Sequence, residues 1–224
     1  MKKNLFGNAY LNMLWHCPAD PRFHYWVHLP DCYYDEKNPS YQLMVIIHGT
    51  GCAVEAYMQA AKAWADEHHV ALLAPMFPGG LLEHEDFNSY KMLSCGGQFT
   101  NRFLFAHPER MKAVSIGAPG RPTFLNLEED YFWGVRDFKD YFDKELDLEA
   151  VAEVPVQLTV GEMDTKFIGD SPHGANRVDR MKSLKRNLES HGVQVELQII
   201  PGFAHEGGEK ERVQEAQGFF EKFL

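Results

Sequence analysis

Two apolar segments separated by an amphipathic helix constrain the fold most strongly. Residues 41–47 and 70–74 are apolar runs of the kind found in strands that are buried on both faces of a sheet. Between them, residues 54–68 have helical spacing, with an apolar side that ends at Trp64. Strand, helix and strand in this order predict a parallel pair joined by a right-handed crossover. An α/β fold follows.

The second half of the chain repeats the alternation of strand and helix, which predicts a single domain over residues 1–224. The natural arrangement is a three-layer α/β/α fold with a mostly parallel, doubly wound sheet. An alternating segment at 23–29 indicates an antiparallel edge strand. The further predicted strands are 111–116, 155–160 and 193–200, and the further predicted helices are 97–106, 176–191 and 211–224.

Composition excludes several classes of function. The formal net charge of −10 leaves no basic surface for nucleic acid, and the chain has no apolar run long enough to span a membrane. Its four cysteines form no CxxC pair and are expected to be reduced, which favours a cytoplasmic protein. The chain contains no HExxH, GxGxxG or Walker-type motif, so we expect neither a metal nor another cofactor.

Polar residues that could take part in catalysis follow the predicted strands. His48-Gly49-Thr50-Gly51 follows the first, Asp164 comes four residues after Val160, and His205 comes five after Ile200. Ser94 opens the predicted helix at 97–106. A serine hydroxyl needs a base to accept its proton, and the base needs an acid to orient it. Because these loops meet at the carboxyl edge of a parallel sheet, a Ser-His-Asp triad is expected there.

From residue 41 to the C-terminus the chain resembles the α/β-hydrolases, in particular the group of esterases, dienelactone hydrolases and polyhydroxybutyrate depolymerases. The resemblance is carried by His48-Gly49-Thr50-Gly51, Ser94-x-Gly96-Gly97, Gly161-x-x-Asp164 and Pro201-Gly-x-x-His205, in the chain order that α/β-hydrolases use.

The resemblance implies hydrolysis of a small or medium carboxylic ester. Ser94 would attack the ester carbonyl, His205 would take the serine proton, and Asp164 would orient His205. The backbone N–H groups of Thr50 and Cys95 would form the oxyanion hole, and the removal of one such donor typically slows an enzyme by about two to three orders of magnitude.

Residues 121–153 are rich in aromatic and acidic side chains and resemble a small cap over the site. Tyr131, Phe132 and Trp133 in this segment would line an apolar substrate pocket, together with Gly51 from the loop after the first strand. Packing of the segment onto the body of the protein is the alternative.

Cys95 offers a second nucleophile. Cys95-Gly96-Gly97 also has the form nucleophile-x-Gly, and dienelactone hydrolases use a cysteine there. By resemblance, the Gln98-Phe99 that follows the glycines fits the serine alignment better, so Ser94 is the favoured nucleophile.

The approach to Ser94 departs from the pattern. The family turn is Gly-x-Ser-x-Gly, and here Met92 occupies the first glycine position. Only sixteen residues separate Phe77 from Ser94, about one helix and one strand fewer than expected. A non-catalytic, α/β-hydrolase-like binding protein is therefore the alternative function. A sheet edge opened in this way recruits strands, so a homodimer is one way to cover it.

Overall fold

The structure is a computed structural model that describes residues 14–30, 33, 41–49, 54–77 and 96–224. It confirms the α/β class and the alternation of strands and helices. The strands are β1 (Leu14–Cys17), β2 (Asp20–His28), β3 (Gln42–Val45), β4 (Val70–Met76), β5 (Val114–Gly117), β6 (Val156–Gly161) and β7 (Val195–Ile200). The α-helices are α1 (Val54–His68), α2 (Gly96–Ala106), α3 (Phe138–Phe142), α4 (Leu148–Ala152), α5 (Arg177–Ser190) and α6 (Glu209–Phe220), and short 3₁₀ turns cover Pro108–Arg110 and Glu221–Phe223.

The first sheet has the strand order β1-β2-β4-β3. β3 pairs in parallel with β4, as the strand–helix–strand pattern predicts, and α1 connects the two. β2 pairs antiparallel with β4, but the predicted edge position of this strand is wrong. β1 forms a hairpin with β2 and takes the edge, because residues 18 and 19 allow the chain to turn back.

The second sheet consists of β5, β6 and β7, all parallel. The central strand β6 is buried at every residue, including the polar Gln157 and Thr159. The apolar side chains of β6 belong to one hydrophobic core with Met181, Leu184 and Leu188 of α5. The segment 121–153 contributes to the same core with the buried side chains Phe124, Leu125, Val135, Phe138 and Val151.

Two glycines place the N-terminus of α2 between the two sheets. A Cβ atom on Gly96 would lie 2.6 Å from the Ile47 carbonyl oxygen, and one on Gly97 would lie 2.0 Å from the Gly117 carbonyl oxygen. Such close approach to backbone is possible only for glycine. The helix therefore begins where the carboxyl ends of the β3 and β5 segments meet.

The facing edges of β3 and β5 line one groove, and no ladder among the described residues joins these two strands. The shortened approach to Ser94, residues 78–93, lies outside the described residues, so the prediction of a missing helix and strand remains a prediction. Within the described part of the chain, none of the helices is long and apolar enough to cross a membrane.

Candidate active site

Asp164 and His205 form a hydrogen-bonded pair at the carboxyl ends of β6 and β7. The distance from His205 Nδ1 to Asp164 Oδ2 is 3.0 Å. The Asp164 side chain is 1% exposed, whereas the His205 side chain is 43% exposed. Because an ionised carboxylate only accepts hydrogen bonds, Nδ1 carries the hydrogen, and Nε2 of the neutral ring is left to accept a proton. The structure thus brings together these two residues, which the sequence predicts as acid and base.

The loops that carry this pair are bonded to each other through their backbones. Met163 N–H donates to the Phe203 carbonyl, 2.8 Å, and Glu162 N–H donates to the Ile200 carbonyl, 2.9 Å. A Cβ atom on Gly161 would lie 2.3 Å from the Phe203 oxygen, so only glycine lets the loops approach this closely. The pair is held by backbone geometry rather than by side-chain packing alone.

The charge state of Asp164 results from opposing effects. Burial raises the pKa of Asp164, but the hydrogen bond from His205 and the positive charge of Arg177 outweigh burial and lower the pKa below its ordinary value. Asp164 is therefore a carboxylate at neutral pH, as the orienting acid of a triad must be.

His48 fixes the exit of β3 through both ring nitrogens. Phe77 N–H donates to His48 Nε2, 3.1 Å, which identifies Nε2 as the acceptor. Nδ1 then carries the hydrogen and donates to the Gly49 carbonyl, 2.6 Å. His48 is buried and ties the end of β3 to the end of β4, a role that the sequence analysis did not assign to it.

One groove brings the described parts of the predicted site together. Gly49, Gly96 and His205 all line it, so the exit of β3, the start of α2 and the imidazole of the pair share one space. The N-terminus of a helix carries free N–H groups and partial positive charge, which suits a developing oxyanion. The predicted nucleophile Ser94, its alternative Cys95, the second oxyanion donor Thr50 and the substrate-contact residue Gly51 lie outside the described residues.

The predicted substrate aromatics contact the body of the protein. Tyr131 is buried, with its ring centroid 4.7 Å from that of Tyr141. The Arg102 guanidinium lies over the rings of Tyr131 and Phe132, at 5.3 and 5.1 Å. The Trp133 ring lies 5.6 Å from that of His173. None of the three aromatics belongs to the described lining of the groove at His205, so their role in substrate binding remains a prediction.

The sequence did not predict that Arg177 contacts Asp164. Its Nη1 donates to Asp164 Oδ1 across 3.3 Å, on the oxygen that His205 does not use. The one signal in the sequence is its position at the start of the predicted helix at 176–191, whose N-terminus faces the same sheet edge. Among the described residues, no three His, Cys, Asp or Glu side chains converge as a metal site.

Solved structures identify the fold. A poly(3-hydroxybutyrate) depolymerase from Bordetella parapertussis, LpqC, superposes with a TM-score of 0.68 at 18% identity, over 88% of this chain and 83% of that one. The chain has the α/β-hydrolase fold. Poly(aspartic acid) hydrolase-1 from Sphingomonas sp. KT-1 matches this hydrolase fold with a TM-score of 0.62 at 18% identity, over 88% and 91% of the two chains.

Est1E from Butyrivibrio proteoclasticus has the same α/β-hydrolase fold, with a TM-score of 0.53 at 15% identity, and the match covers 94% of this chain and 97% of that one. No protein-family model matches the sequence, and no curated protein matches it. The resemblance inferred from the motifs is thus confirmed at the level of the fold.

Proposed function

We propose that the protein is a serine hydrolase that cleaves carboxylic esters of small to medium size. The observation that supports this proposal best is the Asp164–His205 pair, 3.0 Å apart, with the His205 ring in the groove that Gly96 also lines. In the sequence, Ser94 stands two residues before Gly96, the first residue of α2. Several structural neighbours are named as esterases or polymer hydrolases, which agrees with the reaction class.

In the proposed reaction, the Ser94 hydroxyl oxygen attacks the ester carbonyl carbon while His205 Nε2 takes the hydroxyl proton. The carbonyl oxygen becomes an oxyanion, which the N–H groups of Thr50 and Cys95 would stabilise. When the C–O bond to the alcohol breaks, the imidazolium returns its proton to the leaving oxygen. Water then attacks the acyl carbon while His205 Nε2 takes a proton from it. When the C–O bond to Ser94 breaks, the imidazolium returns that proton to the Ser94 oxygen, and the carboxylic acid is released.

The proposed function is tested by active-site labelling together with turnover. The folded wild type is expected to hydrolyse p-nitrophenyl butyrate and to lose this activity when a fluorophosphonate adds one phosphonyl group per chain. Peptide mass spectrometry should locate that group on Ser94, because only a serine activated by a base reacts with such a reagent at neutral pH. Urea-unfolded protein, in which Asp164 and His205 are separated, is the control and should not be labelled.

Two outcomes would contradict the serine assignment in different ways. Inactivation by iodoacetamide at Cys95, with no phosphonyl group on Ser94, would show the cysteine to be the nucleophile. Folded protein that neither turns over the ester nor takes up either reagent would show a non-catalytic α/β-hydrolase fold.

A further inference from the structure

The Asp164 carboxylate is held by two side chains that approach it through different oxygens. Oδ2 accepts from His205 Nδ1 at 3.0 Å, and Oδ1 accepts from Arg177 Nη1 at 3.3 Å. Asp164 is 1% exposed and the Arg177 side chain is 18% exposed, so water screens this ion pair little. A carboxylate bonded through one oxygen alone could rotate about its χ2 angle, and the second bond opposes that rotation.

The backbone that carries Arg177 is fixed independently of Asp164. Arg177 is the first residue of α5, whose N-cap Asn176 accepts a hydrogen bond from Asp179 N–H, 2.9 Å. One turn further, the buried Arg180 donates to the carbonyls of Gly174, Gly120 and Gly169 at 2.8, 2.6 and 2.6 Å. These bonds connect the start of α5 to the neighbouring loops, so the Arg177 guanidinium approaches Asp164 from a rigid support.

The two arginines use their donors differently. Among the described residues, the hydrogen bonds of Arg180 all go to backbone carbonyls, and its guanidinium lies 5.1 Å from the centre of the Trp133 ring, so Arg180 has a structural role. Arg177 Nε is buried and has no hydrogen-bond partner among the described residues. Within the part of the chain that the structure describes, the side-chain hydrogen bond of Arg177 goes to Asp164. A part-buried cation whose described hydrogen bond goes to the proposed acid of a triad is expected to act on that acid.

We propose that Arg177 is a positioning residue of the active site, which orients the Asp164 carboxylate and moderates the charge that it presents to His205. The inference rests on the proposed function for its catalytic meaning. Its physical content is that the positive charge of Arg177, beside one carboxylate oxygen, offsets part of the negative charge that Asp164 presents to His205 through the other oxygen.

The decisive experiment follows the titration of the His205 ring by NMR in the wild type and in Arg177→Met. The His205 resonance is assigned by its loss in a His205→Gln variant. Removal of the arginine charge leaves a net negative neighbour, so the titration midpoint is expected to move to higher pH by about half a pH unit. Arg177→Lys keeps the charge and should leave the midpoint within about 0.2 of a unit of the wild-type value.

Kinetics give a second readout. In Arg177→Met the acidic limb of the kcat/KM profile should move to higher pH together with the NMR midpoint, and plateau kcat should fall about tenfold because the carboxylate is less well oriented. In Arg177→Lys the acidic limb should lie at the wild-type pH, because the charge is kept. The plateau kcat should lie between those of the wild type and Arg177→Met, because a lysine cannot reproduce the contact of the planar guanidinium with the carboxylate. Arg186→Met, an exposed residue on the same helix, removes the same charge away from the pair and should change neither.

An unchanged midpoint and unchanged kcat in a folded Arg177→Met variant would overturn the proposal. So would a shift of equal size in Arg186→Met, which would show a general effect of net charge. Because the NMR titration needs no turnover, the inference and the proposed function fail separately. A shifted midpoint in a protein without esterase activity would support the role of Arg177 and remove only the hydrolase assignment.

Discussion

Ser94→Ala and His205→Ala are each expected to lower kcat for ester hydrolysis by about six orders of magnitude, and the double variant should lose little more. The reason is that nucleophile and base act in one step. A serine without its base is not deprotonated, and a base without its serine has no proton to accept. The measurement is kcat for p-nitrophenyl butyrate, with single-turnover assays for the slow variants.

Two variants serve as controls for this prediction. Cys95→Ala should keep activity within about threefold of the wild type, because the proposed oxyanion donor is the backbone N–H of residue 95. His107→Ala replaces a part-exposed histidine whose ring lies beside Glu109. This residue is remote in sequence from Asp164 and His205, so the variant should keep full activity. Multiplying losses in the double variant would contradict a shared step, and loss of turnover in Cys95→Ala alone would make the thiol the nucleophile.

The Asp164–His205 pair could be predicted from the sequence because its position depends on topology alone. Both residues follow predicted strands, and parallel neighbours carry their exit loops at the same edge. The prediction needed no side-chain detail, since the order of strands already brings the loops together. Backbone hydrogen bonds join the two loops, from Met163 N–H to the Phe203 carbonyl and from Glu162 N–H to the Ile200 carbonyl, and the order of strands is enough to predict that the loops are neighbours.

Arg177 and His48 could not be predicted in the same way, because their roles depend on rotamers and on backbone groups distant in sequence. The Arg177 contact spans 13 residues and needs the start of α5 to face the loop after β6. The His48 bond reaches Phe77, 29 residues away, through a ring nitrogen whose protonation follows from its partners. The edge strand β1 has only four residues, Leu14–Cys17, with no clear alternation, so the sequence does not define its bounds.

Gly97→Ala is expected to destabilise the protein by about 3 kcal/mol, because overpacking against atoms that cannot move is costly. The added Cβ would lie 2.0 Å from the Gly117 carbonyl oxygen and 3.1 Å from Pro119 Cδ. The oxygen belongs to the end of β5, so relief requires α2 to move away from the sheet, and with it the proposed oxyanion site. A loss of this size lowers the melting temperature of a chain this long by about 6–12 °C.

Gly218→Ala is the matched control for the effect of Gly97→Ala. Gly218 lies within α6 and has no atom within 4 Å of an added Cβ, so the same chemical change should stabilise the protein by about 0.5–1 kcal/mol. Calorimetric melting of the two variants beside the wild type therefore tests how closely the start of α2 approaches the end of β5. If Gly97→Ala melts at the wild-type temperature, α2 does not begin against the carboxyl end of β5. The groove shared by Gly96 and His205 would then have to be redrawn, and with it the position of Ser94 relative to its proposed base.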